Sequence, residues 1–146
     1  MSHPFTDNPG PILIGMLHVP PLPGSPGSTE PLSAIREFVL KDAEALVNGG
    51  ISNLMIENFG DTPFFPGSVP RHTVAQLTAI ASDISSAFPQ AEIGLNVLRN
   101  DGCSALAIAS STGASFIRVN ILCGARVTDQ GIIQGIAHDL LRLRRT

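Results

Sequence analysis

Two side chains of this sequence stand where they could move protons. His18 ends an apolar run at residues 12–19 (ILIGMLHV) and leads into a Pro-rich loop. A neutral imidazole there can act as acid, base or hydrogen-bond donor, or can simply be satisfied by a loop carbonyl. Glu57 ends a second run at residues 51–57 (ISNLMIE). A carboxylate in such a place must be paired, hydrated or at work. It could serve as a base, a metal ligand or an acceptor for a sugar hydroxyl, or it could pair structurally with Arg118. Asn58, Asn96, Arg99, Asn100, Asp101, Arg118 and Asn120 follow at the ends of these and later apolar segments. Asn96 and Asn120 can orient a ligand, and Arg99 and Arg118 offer planar forks to a carboxylate or phosphate. Asn100 and Asp101 are equally ordinary helix caps, and Asp61 reads as a loop cap. Thr128 and Asp129 are expected to open a last helix, as caps or as an anion site at its exposed N–H groups. His18 and Glu57 are thus the candidate catalytic residues, and the others, Asp61 apart, are candidate ligand contacts. Cys103 and Cys123 lack the spacing of a zinc site or the surroundings of a nucleophile. No metal is expected, and the cofactor is unknown from these patterns.

The elements that must position these residues alternate in type. Short apolar runs suit strands covered on both faces, and they occur at residues 12–19, 51–57, 92–98 (EIGLNVL) and 115–121 (SFIRVNI). Between them, apolar residues recur at helical steps. Leu32, Ile35, Val39, Ala43 and Leu46 form one stripe, with Ser28 or Thr29 as a cap and Gly49–Gly50 as the stop. Val74, Leu77, Ile80, Ala81, Ile84 and Phe88 form the next, opened by Pro70. A third helix runs from Asn100 or Asp101 to about Thr112. A fourth, after Thr128, places Ile133, Ile136, Ala137 and Leu140 inward.

Four such units in a row imply parallel strands with right-handed crossovers. The strand phase favours a barrel over an open doubly wound sheet. One phase (Leu13, Leu17; Leu54, Ile56; Ile93, Leu95, Val97; Ile117, Val119) is apolar throughout and suits packing under helices. The other (Ile14, Met16, His18; Asn53, Met55, Glu57; Gly94, Asn96; Phe116, Arg118, Asn120) ends in polar residues toward the C-terminal end of each strand, as barrel-lining residues do near a mouth. The fold expected is α/β, half of a (β/α)8 barrel, over residues 11–146, behind a flexible N-terminus at residues 1–10. A complete barrel usually needs about 250 residues, so the open inner face calls for a missing C-terminal half or a second copy of the chain.

Composition narrows the function classes. The 146 residues are 43% hydrophobic and 14% charged, with a net charge of −3 and no Trp or Tyr among the aromatics. That argues against nucleic acid as a partner. No run is long enough for a transmembrane helix, and no secretory leader precedes the first strand. A cytoplasmic protein is expected, free or peripheral to a membrane.

Several blocks resemble the BtpA/SgcQ family. They are GMLHVPPLPGSP from Gly15, IENFGDTPFF from Ile56, GLNVLRND from Gly94, FIRVN from Phe116 and VTDQG from Val127. The resemblance implies a barrel of the ribulose-phosphate-binding type, and it links the chain to photosystem I or membrane-complex biogenesis with no proven reaction. Relatives in sugar-metabolism gene clusters imply an alternative, an enzyme acting on a phosphorylated sugar or nucleoside-like molecule at the strand C-termini. There His18 and Glu57 would share acid–base work. A third reading is a truncated, inactive product.

Overall fold

The computed structural model describes residues 10–145. The expected flexible N-terminus lies, except for Gly10, outside the described residues. The elements run β1 (Gly15–His18), α1 (Leu32–Asn48), β2 (Asn53–Glu57), α2 (Arg71–Ala87), β3 (Glu92–Asn96), α3 (Gly102–Thr112), β4 (Phe116–Ile117), β5 (Ala125–Thr128), β6 (Gly131–Gln134) and α4 (Ala137–Leu143). Strands β1 to β4 form one parallel sheet in sequence order, without a reversal. This is the progression of half a barrel, whereas a doubly wound sheet reverses its order partway.

The apolar strand phase packs as expected from Leu17 to Val97, while Leu13 is exposed and Ile117 and Val119 are partly buried. Leu17, Leu54, Ile56 and Leu95 are fully buried, in one cluster with Ile35 and Val39 of α1, Leu77, Ile80 and Ile84 of α2, and Ile108 of α3. Burying each such side chain contributes about 1.5–3 kcal/mol relative to exposure. Arg36 of α1 grips Asp83 of α2 through Nε and Nη2 at 2.5 and 2.7 Å, which fixes the two helices side by side. Asp83 and the buried face of α2 thus lock the second unit onto the first.

On the opposite phase, one row across the sheet consists of Met16, Met55, Gly94 and Phe116. Gly94 is required there, because an added Cβ would collide with the Phe116 ring. The next row toward the strand ends is His18, Glu57 and Asn96.

Several boundaries differ from expectation. Strand β1 starts at Gly15 rather than at residue 12, and Leu13 before it is 67% exposed. Helix α1 starts at Leu32 behind Pro31 and has no side-chain cap, so Ser28 and Thr29 do not cap it. Pro31 instead turns the chain into the helix with a φ that its ring presets. Asp101 does cap α3, accepting from the Ser104 N–H, and Gly113 closes it in the left-handed region at φ 74°. The largest departure is the last unit. The expected helix after Thr128 is a hairpin of β5 and β6, and α4 begins only at Ala137. Val127, Thr128, Ile132 and Ile133 are β-branched, which favours strands, while Gly131 and Gly135 weaken any helix through them. Gly131, at φ 102°, supplies the positive-φ residue that ends such a turn. Only the end of the predicted stripe is helical, from Ala137 to the buried Leu140.

Candidate functional site

Glu57 sits at the centre of the polar row, 3% exposed although it carries a carboxylate. Its Oε2 accepts from Asn96 Nδ2 and from Arg118 Nη2, both at 2.5 Å. Its Oε1 lies 3.7 Å from His18 Nε2, within ion-pair reach but too long for a hydrogen bond. The two candidate proton carriers are therefore neighbours. Asn96 is 1% exposed, whereas the His18 and Arg118 side chains are about half exposed, at 49% and 45%. The row thus presents two accessible nitrogen groups on either side of a buried acid and amide. The imidazole is steadied from one side by Phe59, stacked at 4.4 Å with an interplanar angle of 17°. Periodicity does not single out Phe59, although it lies in the IENFGDTPFF block two residues after Glu57.

This arrangement can do two things. A carboxylate already bonded to an amide and a guanidinium is fixed in position and acts as an acceptor, not as a mobile donor. The imidazole beside it faces solvent and can exchange protons with a bound molecule.

The remaining candidate residues hold loops. Asn58 Oδ1 accepts the Leu98 N–H at 2.7 Å, tying the end of β2 to the segment after β3. Its Nδ2 donates to Asp61, whose other oxygen accepts the Leu22 N–H at 2.8 Å. Asp61 is the loop cap expected of it, and burial raises its carboxyl above the ordinary range despite these hydrogen bonds. Asp101 accepts from the Val69 N–H at 2.8 Å as well as from Ser104. Asn100 brackets Ile121, accepting its N–H and donating to its carbonyl, and it also reaches the Gln134 carbonyl. Asn120 donates to the Arg99 carbonyl at 2.8 Å, and its Oδ1 lies 3.4 Å from Asn96 Nδ2. Asn120 thereby joins the Glu57 row to the next loop outward. Arg99 Nη1 donates to the Gln130 carbonyl at the hairpin tip.

Thr128 and Asp129 stand apart from the row. Thr128 Oγ1 donates to the Gly131 carbonyl and accepts from the Gln130 N–H, so it closes the hairpin turn. Neither residue opens a helix, and the expected helix-end anion site is not formed. The thiols fit a bland role. Cys123 is exposed, and Cys103, inside α3, is pushed above the usual thiol range, mainly by burial. Among the described residues, no group of three His, Cys, Asp or Glu could hold a metal ion, and no helix is long and apolar enough to cross a membrane.

The family model described as the BtpA family matches residues 10–146. An uncharacterized protein of Thermococcus kodakarensis is 47% identical over 91% of this chain and 50% of its own length. A protein of Synechocystis sp. named photosystem I biogenesis protein BtpA is 46% identical over 96% of this chain and 47% of its own. A Caenorhabditis elegans protein with a mitochondrial designation and no described function is 37% identical over 92% of this chain. The chain spans about half the length of the curated relatives it matches.

Proposed function

The chain belongs to the BtpA family, and from that premise we propose that it binds a small molecule at the C-terminal ends of β1 to β4 and performs acid–base chemistry on it. The observation that carries this reading is the buried Glu57, fixed by Asn96 and Arg118 beside a half-exposed His18. His18 is the proton-exchanging group. Glu57 holds its free carboxylate oxygen toward the imidazole, 3.7 Å from Nε2. Arg118 and Asn120 face the ligand from the segment that follows β4, and the ligand class is a phosphorylated sugar or a nucleoside-like molecule. The inner face of the sheet is closed by a C-terminal half such as the longer relatives have, or by a second copy. Light scattering behind size exclusion separates a paired chain from a single one.

The test is a thermal-shift screen of sugar phosphates and nucleosides. One compound at about 100 times its Kd should stabilise the protein by about 2.7 kcal/mol. The gain should vanish in Glu57→Ala and Asn120→Ala. A panel without any selective stabiliser would sink the reading.

A second reading has its own support in the similarity to the Synechocystis protein over nearly the whole of this chain. In it the chain assists assembly of a membrane-bound complex from a cytoplasmic position peripheral to the membrane. Restoring photosystem I to a Synechocystis strain that lacks its own relative would favour this role. Failure to restore it, together with a hit in the ligand screen, would leave the enzyme.

A further inference from the structure

Arg99 lies in the segment between β3 and α3 with only 8% of its surface exposed. Its Nη1 is used by the Gln130 carbonyl at 2.6 Å, but its Nε is buried and makes no hydrogen bond. Among the described residues no carboxylate comes within ion-pair distance of it. A buried guanidinium without a counter-charge is costly, and such groups are retained where an anion completes them. Arg36 shows what completion looks like in this same chain. Its Nε and Nη2 grip both oxygens of Asp83. The corresponding edge of Arg99 faces no such partner.

Arg99 also lines a cavity of about 380 Å³ beneath the β5–β6 hairpin. The walls come from Ser68 and its neighbours before α2, from Ile133 and Gln134 of β6, and from the first turn of α4. The other titratable groups on the cavity are Asp101, Cys103, His138 and Asp139. Asp101 has both oxygens occupied by Val69 and Ser104. Asp139 lies 3.2 Å from His138 at the exposed rim. Neither acid reaches the guanidinium.

We infer that this cavity is an oxyanion subsite, in which the Arg99 guanidinium, without a carboxylate partner of its own, receives a carboxylate or phosphate group while Nη1 holds the hairpin tip over it. The site is distinct from the usual phosphate position of such barrels, which lies after strands seven and eight. It follows strand three and does not depend on the chemistry assigned to Glu57.

The experiment is nuclear magnetic resonance of the arginine Nε–H groups in the 146-residue chain, titrated with inorganic phosphate, then acetate, against sodium chloride at equal ionic strength. Loss of a cross-peak in Arg99→Lys identifies the Arg99 signal. One of the two anions should shift that signal saturably, with half-saturation at about 1 mM, an affinity within reach of a single charged contact. Which anion does so separates a phosphate ligand from a carboxylate one. Ser68→Glu, at an exposed position on the rim, should weaken the binding by about tenfold, equivalent to 1.4 kcal/mol. Glu57→Gln should leave the titration unchanged, so this site and the proton-exchange row can fail separately. No shift, or an unsaturated shift shared with chloride (an adventitious ion only), would overturn the assignment.

Discussion

Strands β3 and β4 lie in segments of comparable length, EIGLNVL and SFIRVNI, that each alternate apolar residues with a polar end, yet they form ladders of different length. Strand β3 spans five residues and pairs with β2 along its whole length. Strand β4 keeps only Phe116 and Ile117 in the ladder, and Arg118 adds one further hydrogen bond to Leu95. The difference lies in the neighbours. β3 has a partner on both sides, whereas among the described residues no strand meets the outer edge of β4. Alternation of side chains sets which face a residue points to, but the length of a strand is set by the backbone groups available to pair with it. The same contrast extends outward. Helices α1 and α2 each run 17 residues, and α4 runs seven.

The sharpest test of this contrast is a pair of core truncations. Leu95→Ala in β3 should cost about 2–5 kcal/mol, the range for a fully buried leucine. Leu140→Ala in α4 should fall at or below the bottom of that range, since α4 packs on one side only. Urea denaturation measures both, and equal costs would mean that the fourth unit is as firmly built as the third. A smaller effect is expected from Asp101→Ala. It releases the Val69 N–H and the cap of α3 together, for a loss of about 1–3 kcal/mol. If melting is unchanged, the β2–α2 loop does not depend on this bridge.

Asp61 gives a third test, in pH. Burial raises its folded-state carboxyl above the ordinary range. The folded chain therefore holds this proton more tightly than the unfolded chain does. Stability from this group rises as the pH falls through that window and is lost as the pH climbs past the folded value. Asp61→Asn keeps an oxygen for the Leu22 N–H but removes the titration. The stability difference between wild type and Asp61→Asn should hence shift toward wild type on acidification. A difference that moves the other way would mean that the hydrogen bonds from Leu22 and Asn58 outweigh burial. The smallest effect is chemical. A thiol reagent should label Cys123 well before Cys103, and simultaneous labelling would show that α3 opens as readily as the loop after β4.

Much of the frame can be read from the residues. Leu54, Ile56, Ile93 and Leu95 announce the helix-covered face by alternation, and Glu57 and Asn96 mark the opposite face by breaking an apolar phase. The pairing of Glu57 with Arg118 was also open to sequence reasoning, because a buried acid and a basic residue shared a phase. The hairpin was not. Ile133, Ile136, Ala137 and Leu140 fit a helical stripe, and the competing signal from Gly131, Gly135 and four β-branched residues is local and easily outvoted by periodicity. The loop-tying roles of Asn58 and Asn100 were hidden for another reason. Each bonds to backbone far along the chain, 40 residues away for Asn58 and Leu98, and no spacing rule reports such a contact.

Gly94 and Phe116 form a fitted pair in the inner row, a missing side chain on one strand filled by a ring from the next. The two positions are consequently not free to drift one at a time. A larger residue at 94 would survive only where 116 had already shrunk. A smaller residue at 116 would leave a hole that only a bulkier 94 could fill. Among descendants of this chain the two sites should change together, and a designer wishing to deepen the floor of the mouth would have to edit both in one step.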